Sequence, residues 1–419
     1  MAFWLRTTQS TRRIPSSLIC ITAALSGVIA NEALARRSHT QRPPAAPNQQ
    51  KTTKLGIATP DNALTRSSLK NCASDSKVTV ATYNVENFWD DLETNSGEQN
   101  YDEYKKNASN WYSEKMYEKK AQNLADALRM AGAPDIVAMQ EIESAGNTSR
   151  TLEILKPYVQ DLGYKYFALG KQTPGNPVSV TTAVISKFPI SSNSNLNFTV
   201  ASQGSRSGET MSTSNSSARD PQVVNIDING STLRLYVAHL KSRRGDYASG
   251  DAMRFAAASL MRKDIESQRA QNPLIDIVVT GDFNSNETER PLTEGLLSSS
   301  DKNNLKTDPS HPDMYNLWFE LPSAERCSYM HSGQLWCLDH ILTSANLFDG
   351  KGLDLVEGSF QVVGHNGGEA AERLMKNDGR TPFRWGLQRS RNGSRFTGTG
   401  YSDHLPLVVT LKRTDRCQQ

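Results

Sequence analysis

The run Ile275-Asp276-Ile277-Val278-Val279-Thr280, closed by Gly281-Asp282-Phe283-Asn284, constrains the fold of this chain most. An apolar, β-branched run ending at a glycine reads as a buried strand. Gly281 lets the chain leave the sheet at a tight angle. On an extended backbone, residues two apart point the same way, so Asp282 and Asn284 project together from the strand's carboxyl end. One offers an anionic oxygen and the other an amide. That pairing suits a hard cation and a phosphate better than a soft metal. Read alone, the tetrapeptide equally describes an Asx-rich turn after a strand, so the rest of the chain must decide.

Other segments repeat the pattern. Residues 78–84 alternate and are β-branched, a strand ending at Asn84 and followed by a loop over 85–90. Residues 135–141 form a strand finishing in Glu141, and Glu143 reads as a loop residue beyond it. Residues 221–228 and 232–240 form a hairpin through Asn229-Gly230, and its second strand ends at His239. Residues 335–343 form a strand carrying Asp339, whose neighbour His340 points to the opposite face. Asp403-His404 leads into a last strand over 407–411. Helices are expected over 114–130, with Tyr117, Ala121, Leu124 and Leu128 on the apolar face, and over 148–162 and 251–268. Each polar strand end is ordinary by itself, and a lone histidine is usually structural. Open α/β sheets, however, bind ligands outside the carboxyl ends of their strands, and here many such ends carry oxygen donors or imidazoles.

Composition bounds the partners and the compartment. The chain has 419 residues and a formal charge of +3. Its basic excess sits in residues 36–70. Residues 71–419 carry 37 basic against 42 acidic side chains, a net of −5. An acidic core argues against holding nucleic acid by bulk charge alone, and leaves room for an enzyme that reaches phosphate through a bound metal. Arg6, Arg12 and Arg13 precede an apolar segment, and Ala33-Leu34-Ala35 follows it, the layout of a secretory signal over 1–35. The expected location is secreted or periplasmic, with no transmembrane segment once the signal is removed. Residues 36–75 read as a disordered basic lead-in, residues 76–413 as one catalytic domain, and 414–419 as a tail. Outside the signal the cysteines are Cys72, Cys327, Cys337 and Cys417, with no C-x-x-C zinc pattern. Two disulfides are expected, Cys327–Cys337 across a short hairpin-like loop and Cys72–Cys417 joining the flanks of the first and last core strands.

The ordered motifs Thr82-Tyr83-Asn84-Val85-Glu86-Asn87, Gln140-Glu141, His239-Leu240-Lys241-Ser242, Gly281-Asp282-Phe283-Asn284, Leu338-Asp339-His340-Ile341 and Ser402-Asp403-His404-Leu405-Pro406 resemble those of the endonuclease/exonuclease/phosphatase family, the deoxyribonuclease I-like hydrolases. The resemblance covers about residues 76–413. It implies an α/β (α+β) four-layer sandwich, two packed mixed β-sheets flanked by helices. It also implies divalent-metal phosphoester hydrolysis, with Mg²⁺ as the cofactor and Mn²⁺ or Ca²⁺ as alternatives. By the same resemblance Glu141 is the principal metal ligand, with Asn84 and Asp403 beside it. Asp282 and Asn284 position water and phosphate, Asp339 orients His404, His404 contacts the phosphate, and His239 is a second catalytic histidine.

Arg384 and Arg389, in an Arg-rich stretch before Asp403, and Lys241 and Arg243 after His239, are expected to bind substrate, since Arg forks match phosphate geometry. A solvated loop is the alternative reading of the Arg-rich stretch. The function expected is a secreted, monomeric nuclease acting on DNA or RNA. A phosphatase or phospholipid-headgroup phosphodiesterase on the same fold, or an inactive binding protein, are the alternatives, because fold does not fix substrate.

Overall fold

The structure is a computed structural model, and it describes residues 76–90, 114–144, 150–171, 180–197, 219–245, 247–306, 314–390 and 393–414. The expected signal and lead-in (1–75), Cys72, Cys417 and the side chain of Arg389 lie outside what is described. So does the tail beyond residue 414.

In chain order the core elements are β1 (Lys77–Phe88), α1 (Glu114–Met130), β2 (Ile136–Glu143), α2 (Thr151–Val159), β3 (Tyr166–Leu169), β4 (Val180–Ser186), β5 (Ile190–Asn195), β6 (Gln222–Ile228), β7 (Ser231–His239), α3 (Tyr247–Gln271) and β8 (Asp276–Asp282). Then come β9 (Ser298–Ser299), β10 (Met314–Asn316), β11 (Tyr329–His331), β12 (Gln334–Trp336), β13 (Asp339–Ser344), β14 (Gly352–Leu355), β15 (Gln361–Val362), α4 (Gly368–Leu374), β16 (Leu387–Ser390), β17 (Gly393–Phe396) and β18 (Leu407–Thr414).

Two seven-stranded sheets result. The first runs β14-β18-β1-β2-β4-β3, with β15 also on β18; the second runs β5-β6-β7-β8-β13-β10-β9. Both are mixed. In the first, β1 pairs parallel with β2 and antiparallel with β18. In the second, β7 pairs parallel with β8 and β8 antiparallel with β13.

The period-2 pattern of the strands builds the layers. On β7, Leu233, Leu235 and Val237 join the large core shared with the first sheet, while Tyr236 and Ala238 pack against Ala257, Ala258, Met261 and Ile265 of α3. On β8, Val278 faces the first sheet, and Ile277 and Val279 face α3. The first sheet's other face is covered by Ala121, Leu124 and Leu128 of α1 and by Leu152, Leu155 and Val159 of α2. The four-layer sandwich of two packed mixed sheets between helices is therefore the observed architecture.

The elements differ from the sequence reading where the backbone turns unusual. β1 does not stop at Asn84 but continues to Phe88, because Glu86 and Asn87 take positive φ (53° and 55°) and form a bulge against β2. Likewise Glu143 is not a loop residue. Glu141 takes φ 64° and β2 resumes beyond it, leaving Glu143 buried with an oxygen accepting from Asp90 N at 2.6 Å. The single strand expected over 335–343 is two, β12 and β13, in different sheets. Gly281 does not end β8. It pairs within the sheet at φ 124°, and a Cβ there would collide with the Ala238 carbonyl, so the glycine is needed for close approach of β7 and β8.

The expected Cys327–Cys337 bridge is not formed. Both are buried free thiols, donating to Tyr329 O at 3.3 Å and Arg326 O at 3.0 Å. Tyr329 lies opposite Trp336, so both cysteines stand just beyond the two-stranded ladder, and each thiol is turned onto a backbone carbonyl.

Candidate active site

The register of the second sheet assembles half of the site. His239 at the end of β7 pairs with Asp282 at the end of β8, and Asp282 pairs with Asp339 at the start of β13. Cross-strand partners share a face. His239 is in phase with Leu233, Leu235 and Val237, so this polar row faces the first sheet.

The first sheet answers with Asn84, whose Nδ2 donates to Asp282 Oδ2 at 3.0 Å and to Glu141 Oε1 at 3.2 Å. Glu141 Oε2 accepts from Asn87 N at 2.9 Å, which uses the left-handed turn of the bulge. His239 Nε2 lies 3.7 Å from Glu141 Oε1 and 3.8 Å from Asp282 Oδ2. Asn284, at φ 49°, folds back so that its N donates to Asp282 Oδ1 at 2.8 Å and its Nδ2 to Asp282 Oδ2 at 3.2 Å. The Asp282–Asn284 pairing read from their spacing is therefore present, although a turn rather than an extended backbone produces it.

The remaining wall comes from the approach to β18. Ser402 Oγ donates to Asn84 O at 2.6 Å, which fixes Asp403-His404 beside Asn84 of β1. His404 Nδ1 donates to Asp339 Oδ2 at 2.7 Å, and Ser328 Oγ donates to the same oxygen at 2.6 Å. Tyr329 stacks at a tilt 4.7 Å from the His404 ring. Burial pulls the His404 pKa down, but the Asp339, Asp282 and Asp403 carboxylates outweigh it and hold the imidazole well above its ordinary range. His239 is the opposite case: burial first, then Arg219 and His404, hold it well below, so it is neutral. Asp282 is pushed up to about 7, chiefly by burial and further by Asp339 and Glu141, against the pull of His404.

Asp282, Asp339 and His404 place one ligand atom each within 4.8 Å of one another, close enough to hold a metal ion. Their geometry is also that of a hydrogen-bonded acid–imidazolium pair, and a protonated ring does not ligate. Asn84 turns its nitrogen to the carboxylates, because its oxygen accepts from Glu86 N at 3.0 Å. In this conformation it bridges Glu141 and Asp282 instead of offering them a ligand oxygen. The donor set is carboxylate and imidazole with no thiolate, and it leaves Asp339 Oδ1 buried without a partner. That set fits a hard divalent cation.

Among the expected substrate cations, Arg384 reaches the site. Its guanidinium pairs with Glu86 and lies 3.5 Å from Asp403 Oδ2, with the side chain largely exposed. Arg243 is instead engaged by the scaffold: Nη1 donates to Glu289 Oε2 at 2.8 Å and to Asn284 O at 3.2 Å, and the guanidinium sits 4.5 Å over Trp336. Lys241 is half-buried beside His239. His340 is structural, accepting from Asn316 Nδ2 at 3.1 Å and donating to Ser285 O at 2.8 Å.

The sequence assigned no role to Glu86, although it lies in the first motif, or to Lys120. Glu86 Oε2 accepts from Trp385 N at 2.9 Å, and burial, then Asp403, push its pKa up to about 7. Lys120 of α1 is fully buried; its Nζ donates to Tyr401 O at 2.7 Å and lies 5.0 Å over the Trp385 ring. Burial lowers its pKa to about 8 against the pull of Glu86 and Asp403. The signal for Lys120 was present, since it lies three residues after Tyr117 and four before Leu124, on the apolar face of α1.

The chain matches the sequence profile of the Endonuclease/Exonuclease/phosphatase family over residues 79–413. No curated protein matches it. Among solved structures it is similar to truncated Caenorhabditis elegans TDP2, at 16% identity, covering 80% of this chain and 98% of that one with a TM-score of 0.45. It is also similar to the human Nocturnin catalytic domain with bound sulfate anion, at 15% identity, covering 81% of this chain and 98% of that one with a TM-score of 0.44. A third is an endonuclease/exonuclease/phosphatase family protein from Bacteroides thetaiotaomicron, at 16% identity, covering 81% of this chain and 96% of that one with a TM-score of 0.42. The profile match spans most of the chain, the two sheets have the architecture its motifs implied, and Asn84, Glu141, His239, Asp282, Asp339 and His404 meet at one site: the chain belongs to the Endonuclease/Exonuclease/phosphatase family of phosphoester hydrolases.

Proposed function

We propose that this protein is an exported, divalent-metal-dependent phosphodiesterase that hydrolyses nucleic-acid phosphodiester bonds. One observation carries the reading. A neutral imidazole, His239, and a charged one, His404, face the same carboxylate row from two sides, with Asp339 clamping the second at 2.7 Å. Phosphodiester hydrolysis needs a group that takes a proton from water and another that supplies one to the leaving alkoxide.

Glu141 is the ligand we assign to the cation, with Asp403 and Asn84 beside it, the last after rotation of its amide. A bound divalent ion supplies charge neutralisation at the phosphate and polarises its oxygens. His239 accepts a proton at Nε2, the nitrogen that faces Glu141 and Asp282. Asp282 and Asn284 orient the water and a phosphate oxygen. His404 donates from Nε2, while Asp339 fixes its tautomer through Nδ1. Arg384, held by Glu86 beside Asp403 with its side chain largely exposed, is placed to contact phosphate. The charged and apolar regions of residues 1–35 support export. Among the described residues no helix is long and apolar enough to cross a membrane.

The test is a turnover panel of DNA, RNA, a phosphomonoester and sphingomyelin, each with Mg²⁺ and with chelator. Hydrolysis of DNA or RNA that chelator abolishes is the expected result. Turnover of only the monoester or the phospholipid moves the chain to the alternative phosphatase or headgroup reading.

A further inference from the structure

Beyond that site, the segment leaving β7 gathers several cations, three of which have no carboxylate partner among the described residues. Lys241 follows His239 by two residues and Arg244 by five. Arg219 donates from Nη1 to Leu240 O at 3.2 Å, while its buried Nε has no partner. The first turn of α3, which holds no acidic residue, closes the far side: a Cβ on Gly250 would meet Ser242 O at 3.9 Å and Lys241 Cγ at 4.0 Å. Burial lowers the Lys241 pKa, and Arg219, Arg254 and Arg244 lower it further. Of these, Arg254 is paired with Asp251 at 3.3 Å, but among the described residues no carboxylate pairs with Arg219, Lys241 or Arg244. The group also touches the site electrostatically: Arg219 acts on His239, and Arg244 on Tyr329, which stacks on His404. Arg243, in the same segment, is neutralised by Glu289 and so stands apart.

Like charges held together at a half-buried position cost free energy that a bound anion removes. Guanidinium forks match phosphate oxygens.

We propose that Arg219, Lys241 and Arg244 form a second phosphate subsite, which takes the phosphate next along the strand from the one being cleaved. It rests on the phosphodiesterase reading and adds a requirement to it: a preferred substrate carries at least two phosphates, as a polynucleotide does.

The experiment compares kcat/KM on a short oligonucleotide with kcat/KM on bis(p-nitrophenyl) phosphate, which has a single phosphodiester, for wild type, R219Q, K241Q and R244Q. The ratio of the two should fall about tenfold or more in K241Q, the loss expected of one charge-assisted hydrogen bond, and the fall should lie in KM for the oligonucleotide. Replacing the neighbouring phosphate by a neutral methylphosphonate should reproduce that loss in wild type and add little to it in K241Q. A ratio unchanged within about twofold in all three variants, where one lost charge-assisted contact predicts tenfold, overturns the subsite. If wild type cleaves neither substrate, the phosphodiesterase reading fails by itself. Oligonucleotide binding in EDTA, followed by fluorescence anisotropy, then decides the subsite. Weaker binding by K241Q and R244Q, with a salt slope reduced by about one per lost cation, upholds it, and equal affinities overturn it.

Discussion

His404 Nδ1 and Asp339 Oδ2 lie 2.7 Å apart, joining the approach to β18 in the first sheet to the start of β13 in the second. The same Asp339 oxygen accepts from Ser328, and the carboxylate is fully buried. The bond fixes which ring nitrogen carries its proton inward and leaves Nε2 for the substrate. Asp339→Asn should therefore lower kcat by about 10²–10⁴, the range for loss of a positioned acid or base, and approach the loss in His404→Ala. The double variant should be little worse than either single one, because the two act as a unit. Steady-state kinetics on one nucleic-acid substrate checks this. Additive losses would separate the two residues.

Glu141 is assigned to the cation, and its loss should show in metal affinity before it shows in chemistry. Glu141→Ala should weaken Mg²⁺ or Mn²⁺ binding in calorimetric titration, with part of the activity recovered at high metal concentration. Unchanged metal affinity would place the ion elsewhere, with the Asp282–Asp339–His404 trio the next candidate.

α1 holds the His404 segment from behind. Lys120 donates to Tyr401 O, and Asn123 Nδ2 donates to Gly400 O at 2.8 Å and Gly398 O at 3.3 Å. Lys120→Met or Asn123→Ala leaves buried carbonyls unpaired, a cost of about 1–3 kcal/mol. Urea unfolding should record that loss, and kcat should fall with it as Asp403 and His404 lose their register. Wild-type stability in Asn123→Ala would show that the clamp is not needed.

Asp282 and Glu86 both have pKa values raised to about 7, in each case chiefly by burial. A carboxyl raised on folding contributes stability that is fully present below its unfolded value and is lost as pH rises through the folded one. In chelator-treated protein both contributions therefore fall away between about pH 4 and 7. His239, lowered on folding, pulls the other way below its ordinary pKa. The clean comparison is wild type against Asp282→Asn: the Tm difference in favour of wild type should shrink from pH 5.5 to 7.5 in EDTA. A difference that grows with pH would mean that Asp282 is ionised and paired in the folded protein.

Much of this was legible because burial on both faces writes a simple pattern. The run ending at Asp282 became β8, and the alternation along β7 placed His239 and Asp282 side by side. What escaped depended on contacts remote in sequence or on backbone that no residue type announces. Positive φ at Glu86, Asn87 and Glu141 lengthened two strands past their apparent ends. Arg384 and Glu86 pair across 298 residues of sequence, with nothing local to either to signal it. Arg243 looked like a phosphate ligand, but Glu289 had already taken it. Two cysteines in an expected hairpin looked like a bridge, but each thiol is committed to a backbone carbonyl instead.

The central claim is that two imidazoles and a metal-bearing carboxylate row act together on a nucleic-acid phosphodiester. The most direct measurement is the cleavage rate of DNA and RNA at saturating Mg²⁺ for wild type, His239→Ala and His404→Ala, each repeated in EDTA. The account predicts cleavage by wild type that chelator abolishes, and a fall of about 10²–10⁴ in each variant. Cleavage that persists in EDTA, or variants that cleave as fast as wild type, would contradict it.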